Sequence, residues 1–251
     1  MTSINLNGKQ IDDIEIIVFD RDGTLIDLYH YWAQMLKLRA EVVAKKLALD
    51  NTYVEGMMSA MGVDIPNKRI KKEGPVGLKK REVVMQAAID YLKDRGIDDT
   101  YDLFIEAFKE VDQVSQDRLD ILIKPIPGMY ELIDRLYEKG CKMAIATTDR
   151  TERAELSLKH LGIREKFDYV IGANGVKQSK PATDMMDLIL SSLDLSPKGA
   201  VMVGDAPTDV QMGVNAGINA SIGVCTGLTS KDDLLKITPY VINDISEIKV
   251  L

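Results

Sequence analysis

Asp20 and Asp22 stand two residues apart where the apolar run Ile16-Ile17-Val18-Phe19 stops, and Gly23-Thr24 follows. Four apolar residues in succession, ended by a turn signal, read as a buried strand of a parallel sheet. If the extended backbone persists through the pair, both carboxylates point to one side and Arg21 to the other. Carboxylates this close repel unless a cation or a proton separates them. Gly23 lets the chain turn sharply, and ligands of open parallel sheets bind past the carboxyl ends of the strands. Taken alone, the stretch also reads as a strand closed by an ordinary Asp-Gly turn. Its chemistry depends on what the rest of the chain brings to the same edge.

Three further clusters belong to that edge. Met143-Ala144-Ile145-Ala146 runs into Thr147-Thr148-Asp149, Lys180-Pro181 lies in the loop before a helix, and Val201-Met202-Val203 runs into Gly204-Asp205-Ala206-Pro207-Thr208-Asp209. Singly, each has a plain reading as a helix cap, a solvated loop or a turn. Together, at successive strand ends, they form one ledge of carboxylates, hydroxyls and an amine. Oxygen donors without His or Cys suit a hard cation such as Mg2+. A carboxylate can attack phosphorus and carry the phosphoryl group as an aspartyl-phosphate. A second can protonate the leaving oxygen and later activate water. Thr and Lys can hold the phosphoryl oxygens, with Lys adding compensating charge. The set suits phosphoryl transfer.

Asp20-x-Asp22-Gly23-Thr24-Leu25, then Thr147, then Lys180-Pro181, then Gly204-Asp205-x-x-x-Asp209 resemble the four motifs of the haloacid dehalogenase (HAD) superfamily, in order. The resemblance covers residues 14–26 and 126–245. It implies Asp20 as nucleophile and Mg2+ ligand, and Asp22 as general acid/base with its backbone carbonyl on the metal. It implies Thr147 as a phosphoryl-binding group, Lys180 as the cation that stabilises nucleophile and transferring charge, Asp205 as a metal ligand, and Asp209 as a group that supports the metal ligands or is itself an alternative ligand. Thr148 and Arg21 are further candidates for contact with substrate. The segment after the first motif resembles the helical cap of phosphoglycolate-phosphatase-like members. Two positions depart from the commonest pattern. Arg21 replaces an apolar residue and is read either as a substrate contact or as the partner of a carboxylate. Thr148-Asp149 stands where many relatives carry Asn or Ser.

The activity implied is Mg2+-dependent hydrolysis of a small phosphorylated metabolite, of the phosphoglycolate or sugar phosphate type, through an aspartyl-phosphate. One alternative is a phosphomutase of the β-phosphoglucomutase type, against which stands Trp32 at the position of that group's cap histidine. Another is a non-catalytic binding protein on the same scaffold. Dehalogenases and phosphonatases typically lack the second aspartate of the first motif, and Asp22 is present.

The elements that must position these residues follow from periodicity. A strand is expected at 14–20. From 27 to 125 the pattern is helical, with helices at 31–49, 52–61, 79–92 and 101–114 and almost no strand-like runs. Pro125 and Pro127 stiffen the return. Helices at 129–139, 151–161, 183–193 and 208–216 then alternate with strands at 142–147, 169–171, 200–204, 220–224 and 240–242. Such alternation predicts a parallel, doubly wound sheet. The expected fold is α/β, a Rossmann-like core from residues 1–26 and 126–251 with an all-helical cap domain at 27–125. Residues 1–13 are polar, read as a short edge strand or loose chain.

Composition sets the remaining bounds. The chain has 251 residues, 45% hydrophobic and 28% charged, ordinary for a globular protein with a sizeable core. A net charge of -7 and a pI near 5.0 argue against general nucleic-acid binding. Cys141 and Cys225 belong to no CxxC or Cys/His cluster and read as buried small hydrophobes. No run of 18 apolar residues predicts a membrane span, and no signal-peptide pattern opens the chain. A cytoplasmic monomer or homodimer acting on a small phosphorylated metabolite is expected, with neither nucleic acid nor membrane as partner. The basic segment 71–81 reads as a solvated loop or as a contact for an anionic substrate. His30, near the cap hinge, is a candidate substrate contact, Tyr29 and Trp32 read as lining the cap–core cleft or packing inside the cap, and His160 near a helix end reads as structural.

Overall fold

The structure, a computed structural model, describes every residue except Leu78, so the basic segment 71–81 lies partly outside the described residues. The chain divides into two compact units, one of residues 1–28 and 125–251 and one of residues 29–124.

The first unit opens with strands β1 (Thr2–Leu6), β2 (Lys9–Ile14) and β3 (Ile16–Phe19). All four residues of β3 are fully buried, as a strand covered on both faces requires. The second unit holds α1 (Leu28–Lys46), α2 (Asn51–Met61), β4 (Val63–Asp64), β5 (Arg69–Ile70), α3 (Arg81–Lys93), α4 (Tyr101–Val114) and α5 (Leu119–Leu122). The chain then returns to the first unit with α6 (Met129–Glu138), β6 (Lys142–Thr147), α7 (Thr151–His160), β7 (Tyr169–Gly172), α8 (Asp184–Leu193) and β8 (Ala200–Gly204). It ends with α9 (Pro207–Asn215), β9 (Ala220–Val224), α10 (Lys231–Leu235), β10 (Tyr240–Ile242) and β11 (Ile248–Val250).

Six strands form one parallel sheet in the order β10-β9-β8-β3-β6-β7. β3 lies in the middle, with Phe19 opposite Ile145 of β6 and Val203 of β8. The chain builds outward from β3 through β6 to β7, then crosses back and builds the other way through β8 and β9 to β10. This reversal makes the carboxyl ends of β3, β6 and β8 a topological switch point, where open α/β sheets take their ligands. Side chains alternate across the sheet. Ile16, Val18, Ala144, Ala146 and Met202 pack with Met185, Met186 and Ile189 of α8 and Met212 of α9. On β3, Phe19 meets Phe167 edge-on at 6.4 Å between ring centres.

Three expectations are corrected. Residues 1–13 are not loose, and β2 is an edge strand as expected, but of a separate sheet. β1 is the centre of that antiparallel sheet, β11-β1-β2, with Ile4 paired to Ile11 and to Val250. Segment 27–125 is not wholly helical, because Val63 and Asp64 pair with Ile70 and Arg69 in a two-residue antiparallel ladder. Asp64 supports that turn by accepting from Arg69 Nε at 2.8 Å and from Asn67 Nδ2. Helix α1 ends at Lys46, not at 49, because Ala48 takes a left-handed φ of 52° and Leu49 N–H donates back to Ala44 O. Among the described residues no helix is long and apolar enough to cross a membrane.

Candidate active site

The chain leaves the strand conformation at Asp20, whose N–H still donates to Val203 O at 2.9 Å. It then wraps around one carbonyl. Arg21 O accepts from Leu25 N at 2.9 Å and Ile26 N at 3.0 Å. Gly23 sits in this turn at φ 90°, where a Cβ would lie 2.6 Å from the Asp205 carboxylate carbon. Glycine is therefore required twice there, by the left-handed backbone and by the close approach of Asp205. On the neighbouring strand end, Asp209 enters α9 and accepts from Ala206 N–H at 2.9 Å, closing the start of the helix.

Lys180 reaches the same point from the loop between β7 and α8, after a cis Lys180–Pro181 peptide. Its ammonium donates to Asp20 Oδ1 at 2.7 Å, to Asp209 Oδ1 at 2.5 Å and to Ala146 O at 2.9 Å, and its side chain is 1% exposed. Asp20, Asp205 and Asp209 each place a carboxylate oxygen within 4.8 Å of the others, all three buried. Three carboxylates against one ammonium amount, when all are ionised, to two surplus negative charges in a buried pocket. Burial lifts the Asp20 carboxyl to about 6, opposed by Lys180 and aided by Asp209. Burial, with repulsion from Asp20 and Asp209, holds Asp205 well above the usual carboxylate range. Burial alone would depress the Lys180 ammonium, but Asp20 and Asp209 outweigh it and raise its pKa. The donor set is oxygen-only and carries a surplus of two charges, which fits a hard divalent cation such as Mg2+.

Asp22 is not one of those three acids, but it lies close enough for the Asp20 charge to help raise its pKa. The strand alternation that would align it with Asp20 stops at Phe19. Its Oδ2 accepts from Arg21 Nε at 3.0 Å and Nη2 at 2.6 Å. Its Oδ1 is buried with no hydrogen-bond partner. Burial raises the Asp22 pKa, and the Arg21 charge opposes the rise. Arg21 also reaches Asp149 Oδ2 at 2.7 Å. Thr147 is fully buried at the end of β6, and its Oγ1 accepts from Asp149 N–H at 3.1 Å. Thr148 is exposed on the loop beyond.

The loop after β9 was invisible to motif reasoning. Gly227 lies so close to Asp205 that a Cβ there would fall 1.7 Å from Oδ2, and Thr226 Oγ1 donates to Gly23 O. The signal was a Thr-Gly pair following a strand, indistinguishable from an ordinary turn. In the helical unit, His30 Nε2 lies 2.9 Å from Ile121 O, and Trp32 packs edge-on against Tyr31. In the basic segment, Lys71 Nζ donates to Ser59 O at 2.7 Å and Arg81 pairs with Asp112. His160 is exposed at the end of α7. Cys141 is buried, and burial pushes its thiol up to about 11, as befits an inert side chain.

Comparison with known proteins gives one family. A family model described as haloacid dehalogenase-like hydrolase matches residues 17–223. The pyrophosphatase PpaX of Halalkalibacterium halodurans is 31% identical over 130 residues, 51% of this chain and 60% of that protein. The chain thus spans less than two thirds of that relative's length. A predicted phosphoglycolate phosphatase from Haemophilus somnus 129PT shares the fold with a TM-score of 0.68 at 20% identity, over 94% of this chain and 96% of that one. A β-phosphoglucomutase from Clostridium difficile has a TM-score of 0.56 at 19% identity, over 93% and 92% of the two chains. The strand order, the acids at the ends of β3 and β8 and the extent of the match agree: the chain belongs to the haloacid dehalogenase-like hydrolase family.

Proposed function

We propose that the protein is a Mg2+-dependent phosphatase that hydrolyses a small phosphorylated metabolite through an aspartyl-phosphate on Asp20. The observation that carries this reading is the buried group of Asp20, Asp205, Asp209 and Lys180, with two uncompensated negative charges at the switch point of the sheet. Asp20, Asp205 and the Asp22 main-chain carbonyl would hold the cation, with Asp209 beside them. When bound, Mg2+ supplies positive charge that screens these carboxylates from one another and from the phosphoryl oxygens. Asp209 also has work within the protein, since its two oxygens hold Lys180 and the N–H of Ala206.

The protein's own groups divide the reaction between them. An Asp20 oxygen attacks phosphorus while Lys180, fixed on Asp20 Oδ1, keeps the carboxylate aimed. As the ester P–O bond breaks, its electron pair goes to the leaving oxygen and Asp22 gives that oxygen a proton. Asp22 then takes a proton from water as water attacks phosphorus, which frees phosphate and restores Asp20. Thr147 holds the phosphoryl oxygens, and the positive charge of Lys180, bonded to Asp20, Asp209 and Ala146 O, offsets the charge that shifts onto them. The helical segment is assigned the part of a substrate-selecting cap from its place in the chain, between β3 and the rest of the sheet.

A second reading is favoured by the named relative: pyrophosphate as substrate of the same site. Both are tested by phosphate release from phosphoglycolate, sugar phosphates, nucleotides, histidinol phosphate, pyrophosphate and an aryl phosphate, each with Mg2+ and with EDTA. Release that needs Mg2+ supports the reading and names the substrate class. No release from any compound overturns it.

A further inference from the structure

Arg21 is 1% exposed, and both of its strongest bonds to Asp22 fall on a single oxygen. Nε and Nη2 donate to Asp22 Oδ2 at 3.0 and 2.6 Å, and Oδ1 of the same carboxylate is buried without a partner. Nη2 also meets Asp149 Oδ2 at 2.7 Å, and Nη1 lies 3.4 Å from Ser157 Oγ on α7. Asp149 is itself fixed, since its Oδ1 accepts from Arg150 N at 2.7 Å and its N–H donates to Thr147 Oγ1. One guanidinium therefore ties the end of β3 to the end of β6. It also makes the two oxygens of Asp22 unlike: one saturated by cationic donors, the other bare.

We propose that Arg21 is a positioning residue that pins Asp22 Oδ2 and so presents Oδ1 as the oxygen that carries the proton to the leaving group. A proton cannot sit comfortably on Oδ2, which already faces two N–H donors of a cation. On Oδ1 it meets no competing donor. The transfer balances as the phosphatase cycle requires. Oδ1–H yields its proton to the ester oxygen, that oxygen takes the electron pair of the broken P–O bond, and Asp22 is left as a carboxylate held by Arg21. Without the planar fork, Asp22 and Asp149 lose the cation between them and the Asp22 carboxylate loses its fixed orientation. This inference rests on the proposed role of Asp22 and adds the residue that aims it.

The test separates aim from structure by the leaving group. Nitrophenolate departs readily without a proton, whereas an alkoxide does not, so only an alkyl phosphate needs the Asp22 proton. The quantity compared is kcat/KM, which covers steps up to phosphoryl transfer to Asp20 and excludes its later hydrolysis. Wild type, Arg21→Met and Arg21→Lys are assayed with glycerol phosphate and p-nitrophenyl phosphate, with folding checked by thermal melts. Arg21→Lys keeps a cation between the two carboxylates and carries the test should Arg21→Met fail to fold. The expected result is a loss on the order of a hundredfold with the alkyl phosphate, the scale of general acid catalysis, and less than about threefold with the aryl phosphate. Equal losses with both substrates, or an unchanged ratio in the folded variants, would overturn the inference and leave the phosphatase reading standing. Should wild type reject glycerol phosphate, the alkyl ester it hydrolyses best in the panel above takes its place; a wild-type protein inert towards the whole panel would overturn that reading and this inference with it.

Discussion

Replacing Lys180 with Met tests how the buried acids are held. The Lys180 ammonium lies within hydrogen-bond distance of Asp20, Asp209 and Ala146 O, and the side chain is 1% exposed. Met fills similar volume but leaves three buried carboxylates with no cation among them. Removing one partner of a buried ion pair costs about 3–5 kcal/mol. For a protein of this size each kcal/mol moves the midpoint by roughly 2–4 °C, so a fall of about 6–20 °C is expected. The assay is differential scanning calorimetry of metal-free protein at pH 7. The sign of the pH effect follows from Asp20, which burial raises to about 6. A carboxyl raised above its unfolded value costs stability once ionised, and the cost is relieved as pH falls through the folded pKa. Lys180 opposes that rise, so its loss lifts the Asp20 pKa further, and metal-free Lys180→Met should recover part of its loss as pH falls, beginning above pH 6. Adding Asp209→Asn removes one of the stranded charges and should restore about 0.5–3 kcal/mol relative to additivity. A midpoint within about 2 °C of wild type for Lys180→Met, corresponding to less than about 1 kcal/mol, would refute the account of a mutually dependent charge cluster.

Two further substitutions probe other parts of the structure. Gly227→Ala places a Cβ where Asp205 Oδ2 now stands, so it should displace that acid, lower turnover by about tenfold or more and cost about 1–3 kcal/mol of stability. Steady-state kinetics across Mg2+ concentrations would read this as a higher metal requirement, and wild-type behaviour would count against Asp205 as a ligand. Arg39→Met acts in the helical unit, where Arg39 is buried, pairs with Asp112 at 3.1 Å and stacks over Phe108 at 4.3 Å. Its loss should destabilise that unit by about 0.5–3 kcal/mol, because Asp112 keeps Arg81 as a partner, seen as earlier exchange of α1 and α4 amides in hydrogen exchange; unchanged exchange there would contradict it.

What could be read from the sequence was what short-range pattern encodes. The unbroken apolar runs of β3 and β8 and the boundaries of β6, β9 and β10 follow from local composition, and the polar residues at their ends mark one edge of the sheet. What could not be read depends on partners far along the chain. Thr2, Ile4 and Leu6 carry too short an alternation to announce a strand, and one of the partners that make β1 a central strand, β11, is supplied from the opposite end of the chain. The pairing of Arg21 with a carboxylate is legible in its type and place, but not which carboxylate, because a strand extended through Arg21 points it away from Asp20 and Asp22. The chain instead turns at Asp20, and the guanidinium closes on Asp22 and on Asp149, 128 residues away. Gly227 is identifiable only from the approach of Asp205, because a glycine after a strand carries no sign of what it makes room for.

The central claim is that Asp20 carries the phosphoryl group. The most direct test mixes radiolabelled substrate with stoichiometric enzyme in Mg2+, quenches in acid on the millisecond scale, and maps the label by peptide, for wild type and Asp20→Asn in parallel. The account predicts acid-stable, base-labile label on the peptide containing Asp20 in the wild type, with neither label nor turnover in Asp20→Asn. Turnover by Asp20→Asn at the wild-type rate, with no label on the protein, would contradict it.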